Sequence, residues 1–191
     1  MNHLEQLVAE WLQYNGYFVR VSVQVGKRNK GGFAGELDVI GVDLAHGHTL
    51  HVECSLDALK DADRQKRFAG KFERGRRFYR DAFPGIDLPG ELEQIAVLQF
   101  ASGKVREMGG ARLVTVREFI QEVFAGLKGT KPASAAVPSN LPLLRTLQLA
   151  EDARRTAASE HRLVPKRVAD EVRKTALQTP DGVPPEIDTA G

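Results

Sequence analysis

The chain has 191 residues, of which 42% are hydrophobic and 27% charged, a balance typical of one globular domain with a tail or a small second unit. A single cysteine excludes an internal disulfide framework, and no apolar run is long enough to span a membrane. Because the N-terminus also lacks the pattern of a secretory signal, we expect a soluble, cytoplasmic protein with no membrane partner.

The first part of the chain predicts one helix followed by three strands. Apolar residues at helical spacing predict a helix over residues 3–15, and alternating valines predict a strand over 17–25. A basic, glycine-rich loop follows. Two further strands are predicted over 35–43 and 49–55, and the short turn between them suits a hairpin.

The next part predicts a helix, two strands and a last helix. The long basic helix is expected over residues 56–82, and the strands over 94–100 and 112–115. Thr115 and a glutamate three residues later form the pattern of a capping box, which predicts that a helix begins there and runs to about Leu127. The order α-β-β-β-α-β predicts an α/β fold with a mixed sheet flanked by helices.

The composition changes after residue 128, where a segment rich in Pro, Ala and Ser begins. We therefore predict a main domain over residues 1–128, a flexible linker over 129–142, a helical extension over 143–178 and a disordered tail over 179–191. The apolar stripes of the two helices in the extension are thin. They are expected to dock either on the main domain or on a second copy, in a homodimer.

Acidic residues interrupt the two hairpin strands. Glu36 and Asp38 alternate onto one face of their strand, and the hairpin brings Glu53 beside them. Crowded carboxylates on an apolar sheet repel one another and lose hydration, a cost that a bound cation removes. Oxygen ligands of this kind favour Mg²⁺ or Mn²⁺, so we predict a magnesium or manganese site here.

Basic residues are concentrated in the long helix that follows. Between Lys60 and Arg80 there are nine basic residues against three acidic ones, which suits a polyanionic partner better than a merely solvated helix face does. We predict nucleic acid, with DNA favoured, as the partner. The predicted contacts are Lys27, Arg28, Arg64, Arg67, Lys71 and Arg74.

Three histidines lie near the acidic strand. No cysteine or carboxylate pattern completes a zinc site with His46, His48 and His51. His51 alternates onto the same strand face as Glu53, so we expect it to support that residue or to donate a proton there.

Three segments together resemble the PD-(D/E)XK nuclease superfamily, the restriction-endonuclease-like fold, and in particular its YraN-like and Holliday-junction-resolvase-like members. A helix with Glu5 precedes Gly16-Tyr17, one strand reads Gly35-Glu-Leu-Asp-Val-Ile, and another reads Val52-Glu-Cys-Ser55 where the family carries Val-Glu-Val-Lys. The resemblance covers residues 3–125. It implies a restriction-endonuclease-like αβββαβ core with a helical C-terminal extension and the activity of a metal-dependent DNA endonuclease.

The resemblance also assigns roles to residues. Metal would be held by Glu5, Asp38 and Glu53, and Ser55 stands at the place of the family's lysine. A serine can form hydrogen bonds but supplies no positive charge. Two interpretations remain open: the lysine has moved to the basic helix, at Lys60 or Lys71, or catalysis is lost and the protein only binds nucleic acid or a protein partner. Under the first interpretation, the predicted catalytic set is Asp38, Glu53, Ser55 and Lys60.

Overall fold

The computed structural model describes residues 2–58, 61–88, 91–101 and 105–156. The helices of this part of the chain are α1 (His3–Tyr14), α2 (Asp61–Phe78), α3 (Val116–Leu127) and α4 (Pro142–Thr156). The strands are β1 (Phe18–Val25), β2 (Gly35–Asp43), β3 (His48–Ser55), β4 (Leu92–Leu98), β5 (Glu107–Met108) and β6 (Ala111–Thr115). Short 3₁₀ turns occur at Tyr79–Ala82 and Pro132–Ser134.

The six strands form one mixed sheet in the order β1-β2-β3-β4-β6-β5. The first three strands are antiparallel neighbours, whereas β3, β4 and β6 run parallel and β5 closes the edge as an antiparallel strand. Since parallel neighbours need a crossover, α2 connects β3 to β4. The predicted α/β fold with a mixed sheet flanked by helices is confirmed.

Helices cover both faces of the sheet. Apolar residues of α1, α3 and α4 pack with Leu50, Val52 and Cys54 in the larger core cluster. On the other face, Phe68 and Phe72 of α2 are fully buried. The alternation of β3 therefore separates its apolar side chains from His51, Glu53 and Ser55, as the sequence predicts.

Two capping boxes fix the starts of α1 and α3. The side chain of Asn2 accepts hydrogen bonds from the first turn of α1 and Glu5 bonds back to the backbone of Asn2. Thr115 and Glu118 form the same reciprocal arrangement at α3, which confirms the capping box predicted there. Within the part of the chain that is described, no helix combines the length and apolarity needed to cross a membrane.

The segment that we predicted as a flexible linker packs on the main domain. Val137 and Leu141 are buried in the same core as α1, followed by Leu144 at the start of α4. The backbone N–H of Leu144 donates to Glu10 at 2.8 Å, and Glu10 is itself buried. The second predicted helix of the extension and the predicted tail lie outside the described residues.

Candidate functional site

Asp38 and Glu53 lie side by side on neighbouring strands. The antiparallel register of β2 and β3 pairs Val39 with Val52, so the next positions along each strand are those of the two acids. Glu53 is completely buried and Asp38 is 7% exposed. The side chain of Asp38 is fixed further by the backbone N–H of Cys54, which donates to its Oδ2 at 3.0 Å. Two carboxylates therefore share one buried position on the face covered by α2.

Lys71 reaches this pair from α2. Its Nζ lies 3.0 Å from each carboxylate oxygen of Asp38 and also donates to Oε2 of Glu53. Lys71 is a predicted nucleic-acid contact and one of the two predicted places for the relocated lysine. The structure brings it into the acidic pair, whereas the other place, Lys60, lies outside the described residues.

One ammonium does not compensate two carboxylates fully, and the two acids respond differently. Burial, reinforced by the charge of Glu53, raises the pKa of Asp38 to about 7. Burial also opposes ionisation of Glu53, but the hydrogen bond from His51 and the charge of Lys71 outweigh it and lower its pKa to about 2. Near neutral pH, Glu53 is therefore ionised while Asp38 is partly protonated.

Lys71 remains an ammonium in this position. Burial works against its charged form, yet the carboxylates of Glu53 and Asp38 raise its pKa above the ordinary lysine value. An ammonium that stays protonated donates hydrogen bonds and positive charge but does not accept a proton.

Ser55 lies on the same strand face but is engaged elsewhere. Its hydroxyl donates to Oδ2 of Asp57 at 2.6 Å, and Arg67 donates to the same oxygen at 2.7 Å. Within the described part of the chain, the hydroxyl of Ser55 forms no hydrogen bond with Asp38 or Glu53. Ser55 thus helps to hold the segment after β3.

Glu5 is engaged at the start of α1. Its carboxylate accepts from the backbone N–H and the side-chain amide of Asn2 in the capping box. Glu36 is exposed near the start of β2. Among the described residues, no three His, Cys, Asp or Glu side chains are grouped closely enough to hold a metal ion. Of the predicted ligands, Asp38 and Glu53 lie together and Glu5 caps α1.

A basic cleft of about 530 Å³ lies between the β1–β2 loop and the second half of α2. Arg77 stacks on Phe78, with 5.0 Å between its guanidinium carbon and the ring centre. Among the described residues, none of the four cationic side chains of the cleft forms an ion pair with a carboxylate. These four are Lys27, Arg28, Arg74 and Arg77, and Glu73 is the acidic residue of the lining.

Arg74 connects the cleft to the acidic pair. It follows Lys71 by three residues on α2, a spacing that places both on one helix face. Its chain lies over Gly35 so closely that a Cβ there would stand 2.7 Å from Cδ of Arg74. The Nε of Arg74 is buried and has no hydrogen-bond partner in the described part of the chain.

Arg64 and Arg67 differ from the other predicted nucleic-acid contacts. Arg64 is 3% exposed and its guanidinium donates to the backbone carbonyls of Phe100 and Asp57. It is thus directed into the protein and is not presented to a ligand. Arg67 is half exposed but is paired with Asp57.

Two residues of this region were not predicted from the sequence. Arg77 lines the cleft, and Gln94 of β4 bonds to His51 beneath the acidic pair. Gln94 is a polar residue directly before four apolar residues of its strand, a signal of the same kind as that of Glu53.

No protein-family model matches the chain, and no curated protein matches it. Among solved structures, the crystal structure of a protein of unknown function, AF1548, matches with a TM-score of only 0.39 and 10% sequence identity. The match covers 81% of this chain and 98% of that one. A similarity of this size supports no inference about activity.

Proposed function

We propose that the protein is a metal-dependent DNA endonuclease of the PD-(D/E)XK type, in which Lys71 takes the role of the lysine that Ser55 replaces. The observation that carries the proposal is the contact of the Lys71 amine with both Asp38 and Glu53. The amine comes from the basic helix, so a relocated lysine accounts for both the missing motif residue and the charge of that helix.

The donor set fits a hard divalent cation. Asp38 and Glu53 supply buried carboxylate oxygens, the ligands that Mg²⁺ and Mn²⁺ prefer. Burial, and next the negative charge of Glu53, raise the pKa of Asp38, and a bound cation would balance that charge. When bound, such an ion would supply an activated water and stabilise charge on the phosphate.

Lys71 would act on the substrate through its charge. As a permanent ammonium it can donate to a phosphate oxygen and offset the negative charge that develops during hydrolysis, as a preorganised donor does. It already lies between the carboxylates, so little reorganisation is needed. It does not serve as the base, because its proton is held by the two acids.

The basic cleft supports a nucleic-acid substrate. Cationic side chains without ion-pair partners in the described structure can take up phosphates without first losing a carboxylate, and Arg74 extends this surface toward Lys71. Contacts of this kind position a phosphate backbone and carry no sequence information. We therefore propose binding of DNA without base recognition by the cleft.

Cleavage assays test the proposal. The purified full-length protein is incubated with plasmid, branched and single-stranded DNA in Mg²⁺, in Mn²⁺ and with a chelator. Metal-dependent cleavage that Asp38→Ala abolishes is expected, while Asp87→Ala, which changes an exposed acid, leaves it intact. If no DNA is cleaved with any substrate and metal, or if Asp38→Ala cleaves like the wild type, the proposed nuclease activity of this site is rejected.

A second candidate is a protein that keeps the nuclease fold but only binds nucleic acid or a protein partner. The tight engagement of both carboxylates by Lys71 and of Ser55 by Asp57 favours it, because these contacts complete the site without a ligand. It predicts DNA affinity that weakens with salt and no turnover under any metal condition.

A further inference from the structure

A series of buried hydrogen bonds connects Glu53, on the side away from Asp38, to His51 and Gln94. Oε1 of Glu53 lies 2.9 Å from Nε2 of His51, and the other ring nitrogen, Nδ1, lies 3.0 Å from Nε2 of Gln94. The same amide nitrogen is 2.9 Å from the carbonyl of Phe72, and Arg76 donates to the amide oxygen at 2.8 Å. His51 and Glu53 have no exposed surface.

The partners of Gln94 decide where the proton of His51 resides. A carbonyl only accepts, so the amide atom facing Phe72 is the nitrogen, and a guanidinium only donates, so the atom facing Arg76 is the oxygen. The amide nitrogen then donates to Nδ1 of His51, which therefore carries no proton. The proton of the neutral imidazole is on Nε2, where it is donated to Glu53.

We propose that His51 and Gln94 are positioning residues of the acidic site: Gln94 holds the ring of His51 in its Nε2–H tautomer by donating to Nδ1, and His51 in turn holds one oxygen of Glu53 so that the other faces Lys71. The inference rests on the proposed function only where it concerns metal binding. A histidine that donates its N–H to a carboxylate ligand restricts rotation of that carboxylate, and loss of such a partner typically weakens metal affinity by about 10–100-fold.

Gly75 and Phe72 of α2 pack closely against the side chains of His51 and Gln94. A Cβ at Gly75 would lie 2.6 Å from Cε1 of His51 and 2.7 Å from Nε2 of Gln94, so only glycine lets α2 approach this closely. The ring of Phe72 meets His51 edge-on, with 5.6 Å between ring centres. Glycine is unfavourable inside a helix, and the hydrogen-bonded pair gives a physical reason for its presence.

Nitrogen-detected NMR of the metal-free, full-length protein tests the tautomer directly. We expect the proton of His51 on Nε2 and none on Nδ1 in the wild type. In Gln94→Met, which keeps the bulk but removes the donor, the nitrogen resonance of Nδ1 should shift because this atom loses its hydrogen bond. A proton on Nδ1 in the wild type, or an Nδ1 resonance that Gln94→Met leaves unchanged, overturns the proposal.

Calorimetric titration with Mn²⁺ at one fixed pH tests the consequence for Glu53. His51→Leu, which removes the donor, is expected to weaken binding by about 10–100-fold. His51→Gln retains an amide donor near the position of Nε2 and should recover most of the affinity. His48→Gln serves as the matched control, because His48 is on the same strand but bonds to Tyr17 and Glu93.

The two measurements separate the possible failures. If the wild type binds no Mn²⁺, the proposed metal site is wrong, and the NMR result alone decides the role of Gln94. If the wild type binds Mn²⁺ and His51→Leu binds it equally well in a protein that circular dichroism shows to be folded, the positioning role is refuted while the metal site stands. A His51→Leu variant that does not fold leaves the decision to His51→Gln and Gln94→Met.

Discussion

The cost of placing two carboxylates around one ammonium can be measured with Asp38→Asn. The amide has nearly the same shape as the carboxyl group, and its oxygen can accept the N–H of Cys54 that Asp38 accepts at 3.0 Å. Its nitrogen can donate to Glu53, as a protonated Asp38 does. The amide nitrogen then takes the position of Oδ1, so the substitution removes the ionisation of this position together with the hydrogen bond from Lys71 to Oδ1.

The pKa of Asp38 gives the expected magnitude. Its value is about 7 in the folded protein against 3.8 for an ordinary aspartate. Since the folded-state pKa is raised, the stabilisation from Asp38 is complete below the unfolded pKa and is lost as the pH rises through the folded one. At 1.36 kcal/mol per pKa unit, the metal-free wild type loses up to about 4 kcal/mol of unfolding free energy over this window.

Urea unfolding of metal-free protein at pH 4 and pH 8, with a chelator present, measures this loss. We expect equal stability of wild type and Asp38→Asn at pH 4, and an advantage of about 2–4 kcal/mol for the variant at pH 8. The exposed Asp87→Asn is the control and should show no such dependence. If the difference in unfolding free energy between wild type and Asp38→Asn is the same at both pH values, or if the wild type is the more stable protein at pH 8, ionisation of Asp38 does not destabilise the folded state.

Three further experiments test the packing and the cleft. Gly75→Ala should lower the unfolding free energy by about 1–3 kcal/mol, because its Cβ meets the buried side chains of His51 and Gln94. Gly70→Ala, whose Cβ would have its nearest neighbour 3.6 Å away, should raise the unfolding free energy by up to about 1 kcal/mol. The reverse order of stability in urea unfolding would contradict the close approach of Gly75 to His51. Leu144→Ala should cost about 2–5 kcal/mol if the segment before α4 is part of the domain, and an unchanged urea midpoint shows that it is not. Arg74→Ala should weaken single-stranded DNA binding and reduce the slope of log affinity against log salt by about 1. Lys128→Ala, at an exposed position, should change neither the affinity nor the slope. Equal slopes for Arg74→Ala and wild type, measured by fluorescence anisotropy across a salt series, would show that Arg74 does not contact the DNA backbone.

The sequence predicts the centre of the candidate site well because strand geometry is local. Alternation along β3 separates Glu53 from its apolar neighbours, and the short hairpin leaves little freedom in where Asp38 pairs with it. The two acids therefore follow from a period of two and a turn. Their different protonation does not, because it depends on how many charges finally surround them.

The partners from outside the hairpin could not be chosen from sequence. Whether Lys60 or Lys71 approaches the acids depends on the path between β3 and α2 and on how α2 docks, neither of which helical periodicity specifies. Gln94 reaches His51 only because β4 runs parallel to β3 in a register that pairs these two residues. Glu5 was placed by resemblance alone, and local capping accounts for its position in the structure.

The role of Lys71 is tested most directly by removing its charge and by placing a lysine at position 55 instead. Lys71→Gln keeps a hydrogen-bond donor near Glu53 but removes the charge, and it should reduce metal-dependent DNA cleavage by about 100-fold or more, as loss of a preorganised donor does. Lys66→Gln, on an exposed position of the same helix, should cleave like the wild type. Adding Ser55→Lys to Lys71→Gln should restore part of the activity, because it returns a positive charge to the strand beside Glu53. Wild-type cleavage by a folded Lys71→Gln protein would show that Lys71 is not the relocated lysine.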